Sequence, residues 1–343
     1  MNNSFKRLFK NKKVVLIVSI IVLILIALLA FFLNGERANS LFDRETISGT
    51  ENDIKLTTFS SYEVLNDNII HLFKDSTNTF LFVDEDDNIL YKTKDNIEYF
   101  RVFNDNSIVY LTSSLNTSTN KMLMEVKLVD LTAQTTTILH VGEKLFLDIS
   151  TDYIYIVDGL SGNVLYGTDS NLDSYSLKTP ISKVISNKGK VFAVNYTAIN
   201  GTVRSTIYLL LDGKPEEVAV CEGKVQSISV DYANDNLIYF SSNLLHSNRQ
   251  SDLVVYSKYL IDLSATSDDV TTYTNLNHNI ISIKDKYLTI DKDTNTLVLL
   301  NNNFTKSKTL GYLHENMINS LLKESTSGDS LYYINKSGHL TKI

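Results

Sequence analysis

The sequence predicts an all-β chain, a seven-bladed β-propeller preceded by one N-terminal transmembrane α-helix. Three observations carry this: one uncharged apolar run near the N-terminus, an almost unbroken strand-and-turn pattern after it, and a repeat of roughly 42 residues within that pattern. The chain has 343 residues, 43% hydrophobic and 21% charged, enough for one large domain or two medium ones and too apolar for disorder. A single cysteine, Cys221, excludes an intramolecular disulfide framework, a zinc ribbon and an iron–sulfur cluster, each of which needs several thiols together. In the strand-like EEVAVC that cysteine is read as a small buried hydrophobe.

Residues 1–13 form a basic tail with Lys6, Arg7, Lys10, Lys12 and Lys13 and no acid. Val14 to Leu33 is apolar throughout except for Ser19. At about 1.5 Å per residue, twenty helical residues cover about 30 Å, the thickness of the hydrocarbon core. A cleaved signal peptide is the competing reading, but its apolar region is shorter and Arg37-Ala38-Asn39 is a poor cleavage site. The positive-inside bias keeps the tail in the cytoplasm and puts everything after Leu33 outside. The expected location is therefore the cell membrane, single-pass, with an extracytoplasmic C-terminal domain. The tail's five basic residues leave 27 against 39 acids outside, a formal −12, which argues against nucleic acid as a partner.

Residues 34–52 are polar and aperiodic and read as a linker; residues 53–343 read as the propeller. Its signature is runs of four to seven residues rich in Val, Ile, Tyr, Phe, Thr and Leu, broken by Asn, Asp, Ser and Gly. The segment 314–324 has a helix-like pattern, but its place in the repeat argues for strand. Hairpins at 79–92, 152–167, 286–300 and 330–343 each hold an aromatic-rich strand, then Asp or Asn, a short turn and a second strand. With cousins at 107–127, 190–211 and 236–258, equivalent positions fall at Asp84, Thr112, Asp158, Asn195, Ser241, Asp291 and Asn335. The gaps are 28, 46, 37, 46, 50 and 44 residues, the spacing of propeller blades.

Each unit can be written as strands A to D, with A at the axis. The seventh lacks D, and DIKLTTF (53–59) is expected to supply it, leaving no open edge between last blade and first. The 28-residue gap leaves little room for a D strand in the first unit, so six or eight blades stay open. A pair of β-sandwiches is the alternative, but it leaves the repeat as coincidence. This repeat pattern resembles the bacterial extracytoplasmic β-propellers of the broad WD-like and YVTN-like superfamily over about 53–343. The resemblance is of architecture: with no tryptophan there is no Trp-Asp signature, and no functional residue is carried over.

Chemistry-bearing motifs are few. Asp84-x-Asp86-x-Asn88 and Asp291-x-Asp293-x-Asn295 open like calcium loops but lack the Gly and Glu of an EF-hand, and read as hairpin turns. The histidines form no H-E-x-x-H, and G-x-S-x-G and the phosphate-binding glycine loops are absent. No catalytic residue, metal ligand or cofactor is therefore assigned. B–C turns and D–A connections share one rim, and three B–C turns, 113–120, 196–205 and 242–251, read as long loops. Loops on a rigid scaffold carry binding residues, so Arg204, His246 and Arg249 are the candidate contacts. The expectation is a non-catalytic, membrane-tethered binding or scaffold module in an envelope complex, recognising a protein or glycan through that rim. The alternative is a lyase or hydrolase with its site at the channel mouth.

Overall fold

The computed structural model describes residues 45–46, 59–65, 68–245, 251–260, 269–273, 280–284, 286–291, 294–302, 304–313, 323–324, 330–335 and 340–343. The described chain begins with β1 (Glu45–Thr46) and then builds sheets in sequence order. Blade one is β2 (Phe59–Leu65), β3 (Asn68–Lys74), β4 (Phe80–Val83) and β5 (Ile89–Thr93); blade two is β6 (Ile97–Asn104), β7 (Ser107–Asn116), β8 (Lys121–Asp130) and β9 (Thr135–Gly142). Blade three is β10 (Leu145–Ile149), β11 (Ile154–Asp158), β12 (Asn163–Gly167) and β13 (Asp173–Ser176); blade four is β14 (Lys183–Asn187), β15 (Lys190–Ile199), β16 (Thr202–Leu210) and β17 (Pro215–Glu222). Blade five is β18 (Lys224–Val230), β19 (Leu237–Leu245), β20 (Ser251–Tyr259) and β21 (Asp269–Tyr273); blade six is β22 (Ile281–Ile283), β23 (Lys286–Asp291), β24 (Thr296–Leu300) and β25 (Lys306–Tyr312). Blade seven is β26 (Lys323–Glu324), β27 (Leu331–Ile334) and β28 (Leu340–Lys342), completed by β1. The fold is a seven-bladed propeller, and every pairing within a blade is antiparallel.

The B strands explain why the repeat was visible. IIHL of β3, IVYL of β7, IYIV of β11, VFAV of β15 and LYYI of β27 are buried at consecutive positions, because a strand between two neighbouring blades has no wet face. Such strands are continuous apolar runs rather than alternating ones. Outer D strands have the opposite character, and β9 is exposed over most of its length. Odd and even residues of one B strand enter different cores. Ile154 and Ile156 pack against blade two, whereas Tyr155 and Val157 pack against blade four. Seven such cores occupy the seven blade-to-blade interfaces, the last joining Tyr62, Val64 and Ile69 to Tyr332, Ile334 and Leu340. Tyr62 also donates its hydroxyl to the Tyr332 carbonyl at 3.0 Å across that closure.

Two expectations are corrected. The hairpin 79–92 is the C–D hairpin of blade one, β4 to β5, and the blade's B strand is NIIHLFK of β3. Placing the equivalent position at Asp75, just after β3, puts 37 residues before Thr112 and removes the short first gap. Blade one thus has its own D strand, β5, and the count is seven. The closing strand is not 53–59. Glu45 and Thr46, inside the stretch read as linker, pair with Lys342 and Thr341, while Phe59 already begins β2 and residues 53–58 lie outside the described residues. Of the helix-like 314–324, Lys323–Glu324 is strand and the rest lies outside the described residues. So do the expected membrane span 14–33 and the tail before it; among the described residues no helix is long and apolar enough to cross a membrane.

The expected Asp and Asn turns hold. Asp84 Oδ1 accepts from the Asp86 and Asn88 amides at 3.0 and 2.8 Å, and Asn88 Nδ2 donates to Asp84 Oδ2. That carboxylate organises its own turn, as Asx turns do. Asp291 is ion-paired with Lys306, and Asp293 lies outside the described residues.

Candidate functional site

The stretches expected as long loops are, over much of their described length, continuations of strands, with residues 246–250 outside the described residues. In blade two the ladder runs on past the blade through Ser113↔Met124 and Leu115↔Met122 to Asn116↔Lys121. Blade four does the same through Thr197↔Arg204 to Ile199↔Thr202, and blade five through Asn243↔Leu253 to Leu245↔Ser251. The cause is local: SSLN facing KMLM and TAI facing TVRS are good strand sequences, and Asn120 and the Asn200-Gly201 pair take the positive φ that a tight reversal needs. The result is three pairs of strands extended beyond their blades on one rim.

Of the expected contacts, Arg204 is exposed on β16, opposite Thr197 on one side and Glu222 on the other. His246 and Arg249 lie outside the described residues. The side chains that most distinguish the rim are apolar ones that the sequence reading passed over. Leu115, Met122 and Ile199 at the hairpin tips are 54%, 51% and 50% exposed, and Leu160 on blade three's B–C turn is 55% exposed. Val141, Val220 and Tyr312, near the ends of their D strands, lie toward the same rim and are exposed too. The available signal was slight: single apolar residues such as Leu115 and Ile199 within otherwise polar stretches.

The axis offers a second constellation. Neighbouring A strands bring together Glu63 of β2, Tyr99 and Arg101 of β6, Asp148 of β10 and Lys323 of β26. Arg101 lies 3.6 Å from Glu63 and 3.4 Å from Asp148 and donates to the Tyr99 hydroxyl at 3.2 Å; Lys323 is ion-paired with Glu63. Both carboxylates are almost fully buried. Burial pushes the Tyr99 phenol up from its ordinary value, so it stays a neutral hydrogen-bonding group. Further along, Asn187 donates to Glu324 at 2.8 Å and accepts from the Val230 amide at 2.7 Å, while Lys188 donates to the Val230 carbonyl. Burial raises the Glu324 carboxyl and lowers the Lys188 ammonium. The A strands are thereby tied across the centre by side chains. Each acid of the first cluster already faces a cation, an arrangement suited to holding blades in register and costly to break.

No protein-family model matches the chain, and no curated protein matches it. Solved structures do. The β-propeller domain of the Trilobed protease from Pyrococcus furiosus aligns at 11% identity over 83% of this chain and 92% of that one, with a TM-score of 0.55. The tricorn protease aligns at 11% identity over 83% of this chain and 33% of its own length, TM-score 0.51. An acylaminoacyl peptidase, solved with Z-Gly-Gly-Phe-chloromethyl ketone, aligns at 12% over 80% of this chain and 48% of its own, TM-score 0.51. At these identities the likeness is one of fold. The Pyrococcus furiosus domain is described as having an open velcro topology; here β1 pairs with β28 within the last blade.

Proposed function

We propose that the chain is a membrane-tethered binding or scaffold module whose propeller stands outside the membrane and recognises a protein or glycan through the hairpin rim. The observation that carries this is the set of three hairpins extending beyond their blades on one rim, with large apolar side chains exposed at the described tips. Exposed apolar side chains gathered on one surface mark interaction sites more often than they decorate a free surface.

The strand order supports a direction for that rim. A D strand runs toward the hairpin rim, so the chain preceding β1 approaches from the opposite rim. Residues 34–44 separate Leu33 from Glu45, and eleven extended residues reach about 40 Å at most. A propeller tethered this way holds its hairpins away from the bilayer.

A second reading is favoured by the axial cluster: an enzyme, a lyase or hydrolase, using Glu63 or Asp148 at the channel. Against it stands the mutual pairing of those acids with Arg101 and Lys323. Affinity capture of the full chain from solubilised membranes, with and without the tips at 113–120, 196–205 and 242–251, tests the first reading. Partners that persist after all three tips are replaced by short turns overturn it. In a binding module Glu63→Gln and Asp148→Asn lower the thermal midpoint but leave capture by the folded chain unchanged; in the enzyme they abolish turnover of the folded chain as well.

A further inference from the structure

The hairpin of blade four reverses on two residues, Asn200 and Gly201, between the paired Ile199 and Thr202. An asparagine followed by glycine holds an electrophile and a nucleophile side by side. The carboxamide carbon and the next backbone nitrogen can close a five-membered ring. Glycine favours the closure because, without a Cβ, its amide is uncrowded and its backbone turns freely.

The surroundings of this pair set it apart. Four described asparagines take positive φ: Asn78, Asn120, Asn200 and Asn295. Thr79, Lys121 and Thr296 follow three of them, and the Thr79 amide is already held by Asp75 at 2.9 Å. Of the four, Asn200 alone precedes a glycine, the two residues having φ of 50° and 81°. Both are exposed, and a Cβ at Gly201 would meet nothing within 4 Å. Among the described residues neither the Asn200 carboxamide nor the Gly201 amide makes a hydrogen bond. The related pair Asp158-Gly159 shows what a protected site looks like. There the glycine amide donates to the Lys144 carbonyl at 2.8 Å, and a Cβ would lie 2.8 Å from the Phe146 ring. The chain's other Asn-Gly pair, Asn34-Gly35, lies outside the described residues.

We propose that the tip of blade four's hairpin is a site of spontaneous covalent modification, at which Asn200 cyclises onto Gly201 and is hydrolysed to aspartate or isoaspartate. The Gly201 nitrogen bonds to Asn200 Cγ as the Cγ–Nδ2 bond breaks, and ammonia departs with the proton that the backbone amide loses. Water then opens the succinimide. Addition at Cγ gives aspartate, and addition at the Asn200 backbone carbonyl carbon gives isoaspartate; nothing is oxidised or reduced. Either product puts a carboxylate where the turn had a neutral amide. Isoaspartate also adds one carbon to the main chain. A two-residue reversal has no slack for it, so the Ile199↔Thr202 pairing is lost and Ile199 is displaced at the rim. The site needs only an open turn and stands whether or not the rim binds a partner.

The test holds the full chain in lipid nanodiscs at mildly alkaline pH and follows it by peptide mapping and mass spectrometry, with isoaspartate read by methyltransferase labelling. The same chain unfolded in urea gives the rate of an unconstrained Asn200-Gly201. In the folded chain the Asn200 peptide is expected to gain the mass that replacing NH2 by OH brings, and to separate into two products. Its rate should lie within about tenfold of the unfolded chain, because an exposed hairpin tip opens at little cost. It should exceed that of Asn120 in the same sample by about tenfold or more, and Gly201→Ala should slow it to a similar degree. Mildly acidic buffer slows it too, since the attacking nitrogen must lose its proton. A folded chain that converts more slowly than this against the unfolded one overturns the proposal, because the turn then protects the pair. So does conversion at Asn120 that keeps pace with Asn200, or an unchanged rate in a Gly201→Ala chain with the native thermal midpoint.

Discussion

At the residue scale, two buried positions carry measurable consequences. His71 of β3 lies in the core between blades one and seven, 5.8 Å from the Phe73 ring. Burial lowers its imidazole from 6.5 to about 4, against the weaker opposing effect of Asp87. The unfolded chain then binds a proton that the folded chain refuses. The stability held at this site is complete above pH 6.5 and is lost as pH falls toward 4, by up to about 3 kcal/mol. Thermal midpoints from pH 7 to 4.5 should fall less steeply in His71→Gln than in the native chain; equal slopes refute the assignment. Gly162→Ala must push Thr179 away and hold alanine at positive φ, and about 2–4 kcal/mol of destabilisation is expected by chemical denaturation. A change below about 1 kcal/mol would mean that the Thr179 backbone yields freely. Asp158 was legible in the sequence as a turn residue, and its amide contacts bear that out. Glu63, Arg101 and Asp148 were not, because their meeting depends on three A strands that lie far apart in sequence.

At the scale of elements, B strands were the easiest to read and B–C connections the hardest. A strand buried on both faces shows itself as an apolar run, so IVYL, IYIV and LYYI mark their blades without reference to anything else. Polar residues such as SSLNTSTN suggest a loop, yet paired strands need no burial to form when a packed hairpin below holds them in register. That independence yields a prediction. Beyond the Ser113↔Met124 pair, whose Met124 packs on the core between blades two and three, the ladder packs on no described blade core, so replacing 114–123 with a two-residue turn should shift the thermal midpoint by less than about 3 °C, within the range of ordinary surface changes. A larger loss in calorimetry would show that the hairpin braces the ring. The same blindness to context misplaced blade one's phase, because its C–D hairpin FLFV…ILYK has the composition of a B–C hairpin.

For the whole molecule, the decisive feature is closure. β1 covers the outer edge of β28, and a bare edge strand recruits other chains. Thr46→Pro removes a backbone donor from that strand. It is expected to lower the thermal midpoint by several degrees and to raise the mean oligomer size in size-exclusion chromatography with light scattering; an unchanged midpoint and size would show that the core between blades one and seven closes the ring unaided. The sequence alone determined the strand-rich class, the roughly 42-residue period and the Asp and Asn turns, because each depends on residues near one another in the chain. The tertiary structure decided which N-terminal residues close the ring, that the rim carries hairpins rather than loops, and that the axial acids meet basic partners. Those outcomes depend on which strands become neighbours once seven sheets share an axis, and no local pattern encodes that adjacency.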